Sequence, residues 1–143
     1  MKGQEFIRLA SKLAAMGSRD EASCRSAVSR AYYGAFHAAR DLLADLGFPV
    51  PFSPSAHVFI QRRLIGAGQA DAHAVGSMLA DLHRARLRAD YDLNDVPAGT
   101  IQFAQSCVET AHSLDAIVVV CRQPPIFAEI QAGIAAYERK IGG

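Results

Sequence analysis

No apolar run in this chain approaches the length needed to cross a bilayer. The longest, Ala116–Cys121, is six residues, so the sequence predicts no transmembrane helix and no membrane partner. Charge of one sign is missing too: 15 Lys and Arg oppose 14 Asp and Glu, a net charge of +1. Such a balance provides no global field to attract nucleic acid or a membrane surface. Any nucleic-acid contact must come from a local cluster of arginines. Cysteine is sparse, with three residues; Cys24, Cys107 and Cys121 have no metal-ligand spacing. Cys24 and Cys107 fall on apolar arcs, as small buried cysteines do. The reading is a reduced, cytoplasmic protein without a metal. There is no Walker loop, no Gly-rich dinucleotide turn and no zinc spacing, so no cofactor is predicted. Internal repeats and low-complexity tracts are also lacking.

What is present is a chain of 143 residues, 50% hydrophobic, enough for one domain with its own core. Its punctuation marks helices throughout. Met1–Met16 carries Glu5, Arg8 and Lys12 at helical spacing, which reads as an amphipathic helix and not a signal peptide. Gly17 is a candidate C′ residue, and Ser18 to Glu21 has the form of a capping box. Gly47–Pro54 is a Pro-rich loop, with Ser53 and Pro54 as N-cap and N1 of a third helix ending at Gly66. A fourth runs from about Asp71 to Ala89. Asp95 and Pro97 open a fifth, with Ile101, Ala104, Val108, Ala111, Asp115 and Val118 on one side. The β-branched run Ile117–Val120 continues that period, and no other strand exists to pair with it, so it reads as helix. Pro124 and Pro125 break the fifth helix. A last one follows, with Ile126, Ile130, Ile134, Tyr137 and Ile141 on a stripe that needs a partner surface, either the bundle or a second subunit. The fold class is all-α: a single-domain antiparallel bundle of five to six helices, with a main body at residues 1–123 and an added helix at 124–143.

The long second helix sorts its residues into two arcs. Val28, Ala31, Ala35, Phe36, Ala38, Ala39, Leu42, Leu43 and Leu46 form a core-facing stripe, and Tyr32 lies towards it. Arg30, Tyr33, Gly34, His37 and Asp41 share the other side, with Arg30 and His37 seven residues, almost two turns, apart. Gly34 in mid-helix costs roughly 1 kcal/mol relative to alanine, so something must approach its backbone closely. Asp41 can accept from His37 at i,i+4. On the fourth helix Arg86 falls on the apolar arc with Ala74, Val75, Met78, Leu79, Leu82 and Ala89, while Arg84 and Arg88 point away. An arginine on a core face needs a partner, and Asp90 is the nearest in sequence. The prediction is a buried Arg86–Asp90 pair whose loss costs about 3 kcal/mol or more. His83 is placed pointing away from Arg86. His57, His73 and His112 read as isolated capping or solvated residues.

Two of these segments resemble the HEPN superfamily, the higher eukaryotes and prokaryotes nucleotide-binding domain, in its small stand-alone prokaryotic form. Ser29 to Ala39 is similar to a helix reading Ser-Arg-Ala-Tyr-Tyr-Ala-x-Phe-His-Ala-Ala, with Gly34 in place of an alanine. Arg86, Ala89, Asp90 and Tyr91 match Arg-x-x-Ala-Asp-Tyr. His57 sits where the group often has a histidine opening its third helix. The resemblance spans roughly residues 4–121 and implies a helical bundle that forms a homodimer. It implies a toxin-like or accessory member of a prokaryotic toxin–antitoxin or defence pair that contacts RNA or nucleotide. The partner of such proteins is a nucleotidyltransferase-type antitoxin. Many relatives are metal-independent endoribonucleases whose motif is an arginine and a histidine with four to six residues between them. A histidine takes the ribose 2′-OH proton and an arginine holds the phosphate. Here no histidine follows Arg86 in that window, whereas Arg30 and His37 have the spacing. The implied site therefore has Arg30, His37 and Arg86 as catalytic candidates and Tyr33, Arg84, Arg88 and Tyr91 as RNA contacts. The dimer would gather Arg30, Tyr33, His37, Arg86, Asp90 and Tyr91 around a shared cleft. The alternative is a catalytically inactive nucleotide-binding or protein-interaction module.

Overall fold

In the computed structural model, which describes residues 2–16 and 20–142, every long element is a helix. In order these are α1 (Gly3–Met16), α2 (Glu21–Leu46), α3 (Ala56–Gly66), α4 (Ala70–Tyr91), α5 (Ile101–Cys121) and α6 (Pro124–Gly142), with a short 3₁₀ turn at Pro97–Gly99 before α5. No strand occurs among the described residues, and none of their helices is long and apolar enough to cross a membrane. The β-branched segment at 117–120 is helical, as its period requires. α2 is the central post: α1, α4 and α5 all pack along it. Val28, Ala31, Ala35, Ala39, Leu42, Leu43 and Leu46 are buried there, while Phe36 and Ala38 are half-buried.

The helix ends shift by a residue or two from the predicted signals. Gly17 and Ser18 lie outside the described residues. α2 is capped by Asp20, whose carboxylate accepts from the Ala22 amide at 3.0 Å. α3 begins two residues beyond Pro54 with Ser55 at its N-cap position; that side chain makes no capping bond, and the Ser53 and Ser55 hydroxyls bond each other at 2.9 Å. Thr100 caps α5, with its hydroxyl accepting from the Phe103 amide. Asp95, predicted to open that helix, accepts from the Ala98 amide within the 3₁₀ turn.

Glycine explains two close crossings. A Cβ on Gly34 would lie 2.9 Å from the Gly3 carbonyl oxygen and 2.6 Å from an Ile7 methylene. What approaches Gly34 is therefore α1. On α6, a Cβ at Gly133 would run into the backbone of Ala67 at the end of α3. Ile130 and Ile134 are buried, Arg63 holds Glu138 at 2.8 Å, and Gln131 donates to the Leu46 carbonyl. The C-terminal stripe thus packs on its own bundle.

Candidate functional site

Residues three apart on a helix stand nearly one turn apart and share a face. His83 and Arg86 do so on α4, contrary to the wheel reading that set them apart, and both reach the same buried ring. The Tyr32 centroid lies 5.3 Å from the His83 ring and 5.7 Å from the Arg86 guanidinium carbon. From the start of α3, His57 stacks on His83 with centroids 4.1 Å apart and planes 29° apart. Tyr32, Tyr33 and Phe36 of α2, Ser53, Pro54, Ala56 and His57, and His83 with Arg86 enclose a pocket of about 280 Å³. His57 is not an isolated cap. It forms one wall of the only pocket among those described that combines histidine, arginine and aromatic rings.

Arg86 is held from three sides. Its Nε donates to Asp90 Oδ2 at 3.2 Å and its Nη2 to the Tyr91 hydroxyl at 3.3 Å. The faces of Tyr33 and Tyr91 lie 5.0 and 5.7 Å from the guanidinium carbon, within cation–π range. Ser29 donates to the same Asp90 oxygen. The predicted pair is present, but the Arg86 side chain is 19% exposed; it borders the pocket instead of filling the core. Its Nη1 donates to none of the described residues, which leaves one edge of the fork open.

Burial lowers the pKa of His83, and the neighbouring His57, Arg86 and Arg84 lower it further. A neutral imidazole can accept a proton. Burial also pushes the Tyr32 phenol up to about 12, which keeps it protonated and a donor. The arrangement offers a cation, a neutral base and aromatic walls within one small volume.

The other sequence-named residues lie elsewhere. Arg30 is exposed and makes no hydrogen bond or ion pair among the described residues. Seven residues of helix separate its Cα from that of His37 by about 10 Å. His37 turns to α1, stacking on Phe6 with centroids 5.2 Å apart. Burial and Arg40 lower its pKa, against Asp41, yet no hydrogen bond joins it to Asp41. The polar row is partly roofed by α1, and Arg30 and His37 do not meet within the chain. Arg84 pairs with Asp81 on the surface. Arg88 pairs with Asp95 at 2.6 Å and lies over Phe103 of α5. Both border a separate hollow between α4 and α5, so the arginines of α4 divide between two faces.

Among the described residues the buried arginine is Arg25, 7% exposed, which sequence reasoning passed over. Its guanidinium donates to the carbonyls of Arg88, Ala89, Asp92, Leu93 and Asp95, and its Nε pairs with Glu21. Arg25 thereby ties α2 to the end of α4, the stretch that presents Asp90 and Tyr91. Its place about one turn into α2, three residues before Val28 and so on the core-facing side, was a signal, but backbone carbonyl partners leave no mark in a sequence. Cys24, Cys107 and Cys121 are all buried, and burial raises the Cys107 and Cys121 thiols to about 11, far from the reactive thiolate range. Comparison with protein-family models, with curated proteins and with solved structures finds no match for this chain.

Proposed function

We propose that this protein is a HEPN-type RNA- or nucleotide-binding protein, and that its ligand phosphate enters the pocket between His57, His83 and Arg86. The stacked imidazole pair beside an arginine with one open edge carries the reading. Arg86 takes the phosphate through that edge, and the tyrosine and phenylalanine walls accept a base or ribose. Cleavage chemistry is available in the same pocket. With a ribose 2′-OH near His83, the neutral ring removes its proton, the oxygen attacks the adjacent phosphorus, and the 5′-oxygen leaves with a proton from a second group such as His57. The two rings are stacked, so they serve different atoms and cannot share one proton. The biological setting that fits is a toxin-like or accessory member of a prokaryotic toxin–antitoxin or defence pair, with a nucleotidyltransferase-type partner and a homodimeric state.

One observation favours a second reading, a binding module without turnover: Asp90 and Tyr91 already satisfy two of the Arg86 nitrogens, which reduces the charge available to a transition state. A labelled single-stranded RNA incubated with protein in EDTA separates the two. A nuclease gives 2′,3′-cyclic phosphate ends, with the rate reduced by about 10² to 10⁴ in His83→Ala, while Arg30→Ala and His37→Ala cut normally. The binding module gives no product, yet binds AMP in an Arg86-dependent way by calorimetry. Cleavage that survives the His57→Ala/His83→Ala double substitution, or AMP binding unchanged in Arg86→Gln, overturns the pocket as the site.

A further inference from the structure

Phe52 is the most exposed large apolar side chain among the described residues, at 90%. Singly exposed apolar residues are ordinary; the surroundings of this one are not. The Arg40 guanidinium carbon lies 4.1 Å from the centroid of its ring, and Arg40 forms no ion pair with a carboxylate among the described residues. Along the chain, both members of this couple adjoin residues that line the pocket. Ser53 and Pro54, the next residues after Phe52, line the pocket, as does Phe36, one turn before Arg40 on α2. Pro49, Pro51 and Pro54 restrict the loop that carries the ring.

Resting on the pocket reading above, we infer that Arg40 and Phe52 form a second subsite, where the base next to the pocket nucleotide stacks on Phe52 and its phosphate meets Arg40. The ligand class is then single-stranded RNA of at least two nucleotides, because a paired base has no free face to offer. An aromatic platform accepts any base, so the subsite adds affinity and strand length but not base identity. A guanidinium already parked on the ring suits this role: it orients the ring by cation–π attraction while its charge stays open to a phosphate.

The test uses the full chain with two probes: AMP, and a labelled 2′-O-methyl adenylate hexamer, which lacks the attacking hydroxyl and so persists. Phe52→Ala should weaken the hexamer by roughly 5- to 150-fold, the usual loss for one stacked base, and leave AMP unchanged. Phe52→Trp should retain hexamer binding. Arg40→Gln should lower the slope of log affinity against log salt by about 0.7, the value for one single-strand phosphate. Hexamer binding equal to wild type in Phe52→Ala, with AMP still dependent on Arg86, overturns the second subsite and leaves the pocket standing. Loss of hexamer in Phe52→Ala while Arg86→Gln binds both probes normally supports the platform and removes the pocket. Equal loss of AMP and hexamer in Phe52→Ala overturns the subsite as a separate element, and a wild-type protein that binds neither probe overturns both. A preference for a protein segment over the hexamer in competition at Phe52 also overturns the RNA assignment.

Discussion

Burial sets the protonation of His83, and with it a dependence on pH that can be measured. Its folded pKa lies below the ordinary 6.5 because its ring is half-buried, stacks on His57 of α3 and feels the charges of Arg86 and Arg84 of α4. The unfolded chain therefore binds the proton more readily than the native one. That contribution to stability is complete above about 6.5 and is lost as pH falls towards the lower folded value. His37, lowered by burial under α1 and by Arg40, acts in the same direction. Thermal melts should show a falling midpoint between pH 7.5 and 5.5, with a smaller drop in His83→Gln. An unchanged midpoint across that range would contradict the burial account. The His83–Arg86 association was within reach of the sequence, since a spacing of three places both on one helical face. The His57 contact was not, because it joins residues 26 apart through the angle between α3 and α4.

Helices here are joined by polar contacts whose value depends on burial. Arg25 lies in the interior with five carbonyl acceptors from the end of α4 and the loop after it. Arg86 borders solvent and its pair with Asp90 is of the partly exposed kind. Removing Arg25 leaves the carbonyls of Ala89, Leu93 and Asp95, whose bonds to it are buried or half-buried, without that donor, each costing about 1 to 3 kcal/mol, while Arg88 and Asp92 keep backbone donors. Arg25→Ala should then destabilise by about 3 kcal/mol or more, whereas Arg86→Ala should cost only about 1 kcal/mol, less than its apolar-arc position suggested. Urea unfolding of the two variants measures the difference. Amide exchange should also rise at residues 88–95 in Arg25→Ala and not in Arg86→Ala. At this scale the helix types, order and approximate ends were legible from capping residues, Pro, Gly and apolar period. Gly34 signalled a close approach, and only the packing identified the approaching element as α1.

At the scale of the whole molecule, two features that called for a partner surface find it within the chain. α1 covers Gly34, and α3 covers the buried stripe of α6. A homodimer then rests on the HEPN resemblance and on the apolar residues still exposed at the end of α4 and in the loop after it, Leu87, Tyr91, Leu93 and Val96. Tyr91 touches Arg86, so a subunit seated there would close over the pocket rim. A stable interface of that kind should bury more than about 1,000 Å². Light scattering at micromolar concentration should give a dimer mass, and Leu93→Glu with Val96→Glu should shift it to monomer. A monomeric wild type would refute it.

The sequence alone determined the all-α class, a bundle of five to six helices, the core stripe of α2 and the pairing of Arg86 with Asp90, because each follows from spacing along one helix. Tertiary structure decided which polar residues share a site. Arg30 and His37 lie on one helix and do not meet, Arg84 and Arg88 turn to α5, and His57 crosses to His83. The physical reason is that a helix dictates where its side chains point, but not what stands opposite. That depends on how α1, α3 and α4 dock against α2, which small residues at crossings such as Gly34 permit and which long-range burial selects.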